Sequence, residues 1–192
     1  MKTFELQGQL RSEIGKKDSK AVRREGGIPC VLYGGAEPVH FSVKTPDVRH
    51  LVYTPHVYFV ELNLDGKKQM AVLKDLQTHP VSDAILHMDF QTIQDDKPVA
   101  MAIPVTVVGN SPGVRNGGKL VVNLRKLAVS ALPKNMPDQI TVDISNLNIG
   151  DGLRIREIEQ EGVVFLENGS IVVTAVRMTR SARSAQASAE SK

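Results

Sequence analysis

Short segments of alternating apolar and polar residues, separated by Gly, Pro, Asp and Asn, run along most of the chain. Strict alternation is typical of β-strands that bury one face, and no long segment shows the 3.6-residue period of a helix. Strands are predicted at 4–10, 30–33, 39–43, 57–64, 69–73, 85–90, 102–108, 119–124, 127–131, 139–144 and 170–177. Asp65-Gly66 predicts a hairpin turn. The pattern therefore predicts a mainly all-β protein whose first six strands form a small barrel or curled sheet.

Two short helices are predicted to interrupt the first half. One covers residues 19–25, where Asp18 or Ser19 can cap the free amides and the double glycine that follows ends the helix. The other covers residues 46–52, with Thr45 as its cap and a proline in the first turn, where the missing N–H removes no hydrogen bond.

A polar and acidic stretch, "QTIQDDKPV" at 91–99, separates the two halves. We therefore predict a first domain over 1–93 and a second β-rich domain over 94–179. The last residues, 180–192, contain almost nothing apolar except alanine, which predicts a disordered tail.

Composition places the chain among cytosolic proteins. No apolar run reaches the roughly 18 residues of a membrane helix, and the first residues lack the apolar region of a signal peptide. The single cysteine, Cys30, excludes an intrachain disulfide and lies in an apolar run. It is therefore predicted to be a small core residue in a protein of a reducing compartment.

The net charge of +3 is small, but the positive charge is concentrated. Residues 11–24 contain six basic side chains and two acidic ones, whereas residues 94–179 contain nine of each. The first domain is therefore polarised, with its positive pole at the predicted first helix.

Motifs for catalysis or metal binding are incomplete. The segment Gly113–Leu120, "GVRNGGKL", matches seven positions of a phosphate-binding P-loop, but Leu120 stands where Ser or Thr must ligate magnesium. His87 and Asp89 lack a second ligand cluster, so a surface hydrogen-bonding pair is favoured over a metal site. Cys30 lacks a neighbouring base and no GxSxG motif occurs. The sequence predicts neither an enzyme nor a small-molecule substrate site.

The basic cluster has two interpretations. Charge alone favours a solvated helix face. Helical spacing, however, places Lys20, Arg23 and Arg24 on one side of the first helix, and Lys16, Lys17 and Arg11 precede it in the chain. Cations that converge from three neighbouring elements suit the phosphates of a nucleic acid.

Several motifs in order resemble one family over residues 3–178. R-x-E-x-G-K at Arg11–Lys16, "IPCVLYGG" and "LQTHPVSDAILHMDF" resemble the bacterial large-subunit ribosomal proteins that bind 5S rRNA. "IPVTVVGNSPGVRNGGKL" and "ITVDISNLNIGDGL" resemble the second domain of that family's two-domain long form, the general stress protein Ctc type.

The resemblance implies a six-stranded N-terminal barrel, similar to the anticodon-binding domains of glutaminyl-tRNA synthetase, and a β-rich C-terminal domain. It implies a cytoplasmic, ribosome-bound protein whose partners are 5S rRNA and other RNA and proteins of the large subunit. Binding would take place on the minor-groove side of the loop E region, where the bound magnesium belongs to the RNA, so the protein needs no cofactor. Such a groove suits RNA, whose regular major groove is too narrow for side chains.

The resemblance also assigns roles to individual residues. Arg11, Lys16, Lys20 and Arg23 would contact phosphates, and Tyr33 would lie at the RNA surface. Lys74 and Gln77 would reach the groove, and His87 and Asp89 would bind bases or ribose. The family has an arginine at the positions of Lys20 and Ala21, and Lys17 and Arg24 are candidates to compensate. A different class stays open: a free stress-response protein or interaction module whose basic cluster binds an acidic partner.

Overall fold

The computed structural model describes residues 1–35 and 37–180, and it divides them into two compact units. The first consists of Met1–Val99 with Leu132–Lys134, and the second of Ala100–Ala131 with the described residues from Asn135 to Arg180. Both are built mainly from strands, so the predicted all-β class is confirmed. The predicted tail lies, from residue 181, outside the described residues.

Six strands of the described residues close into a barrel in the first unit, as predicted. They are β1 (Lys2–Leu10), β2 (Gly27–Tyr33), β3 (Val39–Lys44), β4 (Tyr58–Leu64), β5 (Lys67–Thr78) and β6 (Ile85–Thr92). Their order around the barrel is β1-β3-β2-β6-β5-β4. The pairs β1–β4 and β2–β6 are parallel, and the other four are antiparallel. This closure leaves β2, β6 and β5 side by side on one wall.

Alternate residues of each strand fill the barrel interior, which contains fully buried Leu6, Leu62 and Met88. The rings of Phe41 and Phe90 pack with centroids 5.7 Å apart. Burial of such side chains stabilises the fold by roughly 1.5–3 kcal/mol each. The barrel is therefore a packed core whose outer face is free to carry function.

The β4–β5 hairpin turns at Asp65-Gly66, as the sequence predicted. Asp65 has φ 48° and Gly66 has φ 87°. Two successive positive φ values are the signature of the tight turn that matches the right-handed twist of paired strands. Glycine at the second position accepts this conformation without a Cβ clash.

Helix α1 covers Lys16–Arg24, so the predicted start at residue 19 is wrong by one turn. Neither Asp18 nor Ser19 caps the helix, because the carboxylate of Asp18 pairs with Arg11 and Gly15 occupies the N-cap without a side chain. The predicted end at residue 25 is correct to within one residue. Gly26 adopts φ 79°, and its amide donates to the carbonyl oxygen of Arg23.

Helix α2 covers Thr45–Val52 and buries Val48 and Leu51. The predicted Thr45 cap is wrong, since the Thr45 hydroxyl donates to the carbonyl oxygen of Gly26 at 2.7 Å instead of accepting from the helix amides. This bond joins the start of α2 to Gly26, two residues after the last residue of α1.

The second unit contains two sheets within the described residues, in the orders β10-β7-β9-β12 and β11-β13-β8. Its elements are β7 (Val99–Val108), α3 (Pro112–Arg115), β8 (Lys119–Val122), β9 (Lys126–Ala131), β10 (Ile140–Asp143), β11 (Gly152–Arg154), β12 (Val163–Phe165) and β13 (Val172–Arg177). The sequence missed β11 and β12, because a strand of three residues is too short to show alternation.

Candidate nucleic-acid interface

Five cationic side chains of α1 are exposed, and they share one arc of the helix. They are Lys16, Lys17, Lys20, Arg23 and Arg24. Residues four, seven and eight positions apart lie on the same side of an α-helix, which explains the arc. Val22 faces the opposite direction and packs on Gly27, where an added Cβ would lie 2.9 Å from its Cγ1 atom. The close approach of the helix to β2 therefore turns its cations outward.

Arg11 differs from these cations because its guanidinium is occupied inside the protein. It pairs with the Asp18 carboxylate, its Nε lies 3.0 Å from Asp18 Oδ2, and its Nη2 donates to the Ser19 hydroxyl at 3.3 Å. The side chain is only 9% exposed. Arg11 thus joins the end of β1 to the first turn of α1.

A second contact holds the other end of the helix against the barrel. Arg23 Nε donates to the carbonyl oxygen of Leu86 at 2.9 Å. Leu86 is the second residue of β6, directly before His87. The hydrogen bond therefore places the cationic end of α1 beside the outer face of β6.

The outer face of β6 presents His87 and Asp89, as alternation predicts. The burial of the two residues before His87, however, departs from strict alternation. The reason is that the pairing with β5 shifts between Gln77 and Thr78. Ile85 is consequently buried and Leu86 is partly exposed, the reverse of the expected order. A single bulge is enough to exchange the two faces of a strand.

His87 and Asp89 form a pair on this face. The His87 Nδ1 atom lies 2.7 Å from Asp89 Oδ1, and the two side chains are 27% and 29% exposed. The spacing is that of an ion pair, although the atoms are not aligned as a hydrogen bond. Because both side chains are partly exposed, the pair is open to an external partner.

Neighbouring strands extend this face on both sides. Gln77 of β5 pairs with His87, and Asp75 pairs with Asp89. Tyr33 lies at the end of β2, near both carboxylates. Burial raises the pKa of its hydroxyl, and the charges of Asp89 and Asp75 raise it further. Tyr33 is therefore a neutral hydrogen-bond donor at physiological pH.

We define the strip as Tyr33, Gln77, His87 and Asp89, together with Asp75, which the sequence missed. Residue 75 lies two positions before Gln77 and hence on the same side of a strand, a signal hidden by the predicted end of that strand at residue 73. Lys74 is exposed at the shift of register between Leu73 and Asp75. The structure thus brings the predicted β-strand residues onto one wall, beside the cations of α1.

This arrangement supplies two kinds of chemistry. The exposed cations of α1 attract phosphates, whereas the strip offers an imidazole, a hydroxyl, an amide and carboxylates that can hydrogen-bond to base edges and ribose hydroxyls. Among the described residues, no group of three or more His, Cys, Asp and Glu side chains could hold a metal ion. In the same part of the chain, no helix is both long and apolar enough to cross a membrane.

The P-loop-like segment of the second unit does not form a phosphate cradle. Its first residues form the four-residue helix α3, and the Gly118 amide donates to the carbonyl oxygen of Gly113 at 2.9 Å. Lys119 opens β8 and pairs with Arg177. A P-loop needs a helix after its lysine, so the strand at this position excludes that function.

Cys30 is fully buried, and its Sγ lies 3.4 Å from the carbonyl oxygen of Ile28. Burial raises the pKa of the thiol strongly; the charge of Arg11 opposes the shift and that of Asp89 adds to it. A thiol held in this protonated form is a poor nucleophile. The predicted role as a core residue is confirmed.

Comparisons with known proteins match both units. Residues 6–90 match the Ribosomal L25p family, and residues 98–180 match the family "Ribosomal protein TL5, C-terminal domain". A protein of Phocaeicola vulgatus named "Large ribosomal subunit protein bL25" is 47% identical, over 98% of this chain and 99% of its own. Proteins of the same name from Bacteroides thetaiotaomicron and Amoebophilus asiaticus are each 45% identical, over 98% and 100% of this chain and 99% and 98% of their own.

Proposed function

The chain belongs to the Ribosomal L25p family, in its two-domain form, and is a structural protein of the large ribosomal subunit and not an enzyme; from that premise we propose that it binds 5S rRNA through the barrel. The target is the loop E region, approached from the minor-groove side. The observation that carries this proposal is the position of the cationic arc of α1 directly beside the hydrogen-bonding strip of β2, β5 and β6.

The cations of α1 contact the RNA backbone in this proposal. Lys16, Lys17, Lys20, Arg23 and Arg24 are exposed on one arc, and backbone contacts position a protein without reading sequence. Arg11 acts through the helix, because its guanidinium is already paired with Asp18. Its role is to hold the first turn of α1 at the correct height above the barrel.

The strip reads the shape and edges of the groove. A minor groove displays ribose 2′-hydroxyls and base edges, which carry donors and acceptors. Asp89 and Asp75 accept hydrogen bonds, whereas Tyr33 donates one, and His87 and Gln77 complete the row. Lys74 reaches the adjoining backbone from β5. The protein holds no cofactor in this proposal, since magnesium ions at the site belong to the RNA.

The second unit contributes other contacts within the particle. Its predicted domain, residues 94–179, contains nine basic and nine acidic side chains, so it lacks the excess of cations that a large phosphate footprint needs. We assign it to contacts with neighbouring RNA and proteins of the large subunit. The protein accordingly resides on cytoplasmic ribosomes.

Titration of the full chain against a loop E fragment of 5S rRNA tests the proposal. If about four to six phosphates are neutralised, the logarithm of the binding constant should fall with the logarithm of salt with a slope of roughly −3 to −5. A regular RNA duplex of the same length is the matched control and should bind more weakly. Binding that does not depend on salt, or equal binding to the control duplex, would contradict the proposal.

A gradient of cell lysate tests the placement in the particle. The protein should sediment with the large subunit, and chemical footprinting of that particle should show protection of loop E nucleotides. Persistent absence from the large subunit would instead favour a free protein whose basic cluster binds an acidic partner.

A further inference from the structure

A hollow of about 660 Å³ lies beside α2, and its lining shares no residue with the strip described above. It is lined by Thr45, Pro46, Arg49 and Tyr53, all of which belong to the barrel unit. This volume lies within the roughly 300–1,000 Å³ of typical ligand sites. The hollow therefore has room for a flat group the size of a nucleobase.

Helical spacing creates this face. Thr45, Arg49 and Tyr53 are four residues apart, so they follow one side of α2. Val48 and Leu51 are buried against the barrel. Tyr53 is 62% exposed, so its ring is accessible to a partner.

The charge of this face is positive. Arg49 forms no ion pair with a carboxylate among residues 1–35 and 37–180. The helix's own acidic residue, Asp47, instead lines a different hollow that also contains Glu5 and Glu61. The two sides of α2 therefore differ in sign, and the cationic side carries the exposed aromatic ring.

Hydrogen bonds make this face continuous with the cationic end of α1. The Thr45 amide and hydroxyl both donate to the carbonyl oxygen of Gly26, at 3.2 and 2.7 Å. The Tyr53 hydroxyl lies 3.5 Å from the carbonyl oxygen of Asp83, and Arg23 binds that of Leu86. Both helices thus contact the same short segment at the start of β6.

We propose that the Arg49–Tyr53 face of α2 is a second RNA-binding surface, on which Arg49 contacts a phosphate and an unstacked base lies against the Tyr53 ring. This inference rests on the proposed function, because the RNA reaches α2 by continuing past the end of α1. Proteins read irregular RNA by stacking splayed bases on aromatic side chains. Charge complementarity with a polyanion favours RNA as the occupant over a protein.

Two substitutions in the full chain test the inference against complete 5S rRNA. Loss of a stacked base should weaken binding about tenfold for Tyr53→Leu, whereas Tyr53→Phe, which keeps the ring, should bind as the wild type does. Arg49→Gln should make the salt slope shallower by about 1. Lys68→Gln, which removes an exposed cation beside Glu61, is the matched control and should change neither quantity.

Footprinting then separates the possible outcomes. Nucleotides outside the minimal loop E helix should lose protection in Tyr53→Leu while loop E itself stays protected. Wild-type affinity and an unchanged footprint in both Tyr53→Leu and Arg49→Gln would overturn this inference and leave the proposed function intact. Normal RNA binding with loss of a large-subunit protein contact would also overturn it, in favour of a protein partner. A wild-type chain that failed to bind 5S rRNA would overturn both.

Discussion

The guanidinium of Arg11 pairs with the carboxylate of Asp18 and thereby joins the end of β1 to the first turn of α1. The pair lies at the start of α1, the helix that carries the exposed cations. Its importance follows from burial, since Arg11 is only 9% exposed and cannot rely on water to replace a lost partner.

Removal of this partner should destabilise the barrel. In Asp18→Asn the mostly buried guanidinium loses its counter-charge, which should lower the free energy of unfolding by about 1–3 kcal/mol. The rate at which buried Cys30 reacts with a thiol reagent under native conditions measures this opening. Glu61→Gln breaks the pair with Lys68, whose side chain is 65% exposed, and should change the rate much less.

The same variant distinguishes two roles of Arg11 in RNA binding. If Arg11 positions α1, Asp18→Asn should weaken RNA binding even though it removes one negative charge from the protein. Tighter binding would mean that the freed guanidinium is itself a phosphate ligand, and it would contradict the positioning role.

Substitution of Asp89 tests whether this residue accepts a hydrogen bond from the RNA or only affects binding through its negative charge. A carboxylate that only faced RNA would repel it, so Asp89→Asn would then tighten binding. If Asp89 accepts a hydrogen bond from a base or ribose, the substitution should instead weaken binding by about 1–3 kcal/mol, with little change in the salt slope. Glu159→Gln, a change of equal charge at an exposed position of the second unit, is the control and should leave affinity for a loop E fragment unchanged.

Substitution of Ala21 by arginine should increase the affinity for RNA. Ala21 is exposed on α1, next to the cationic arc, at a position where the resemblance puts an arginine. Ala21→Arg should tighten binding and make the salt slope steeper by about 1, whereas Lys20→Ala should do the opposite. Isothermal titration at several salt concentrations measures both. An unchanged salt slope in both variants would show that the cationic arc does not contact phosphates.

Cys30 should couple barrel stability to alkaline pH. Because burial raises the folded-state pKa of the thiol above its ordinary value of 9.0, the protonated form is favoured by folding. The stabilisation is complete below pH 9 and is lost as the pH rises above it, by up to about 1.4 kcal/mol per unit. Urea unfolding of the wild type and of Cys30→Ala across pH 8–10.5 measures the difference in slope. Equal slopes would show that folding does not raise the pKa of the Cys30 thiol.

The same cysteine should be dispensable for function. Cys30→Ser keeps the size of the side chain and can donate to the Ile28 carbonyl, so RNA affinity should match that of the wild type after correction for a small packing loss. Loss of RNA binding in a folded variant would indicate a role for the thiol that its burial does not suggest.

Alternation along the chain determined all the strands of the barrel and most of those in the second unit, the class of fold and the outward direction of His87 and Asp89. These are local properties, because the period of two arises from the geometry of each strand and needs no knowledge of its neighbours. The double glycine after α1 and the Asp65-Gly66 turn were equally readable, since each depends on a backbone conformation that few residues adopt. Charge concentrated in residues 11–24 indicated the cationic helix in the same way.

Only the tertiary structure decided which of these groups work together. The bulge between Gln77 and Thr78 reversed Ile85 and Leu86, and the register of β5 against β6 brought Asp75 beside Asp89. The start of α1 was set by Arg11, seven positions before Asp18, which took the carboxylate that local rules would use as a cap. Likewise, Thr45 bonds to Gly26, nineteen residues earlier, and so joins α2 to α1. Such partners are chosen by the closure of the barrel, because the free energy of a long-range contact depends on packing that no local window of sequence contains.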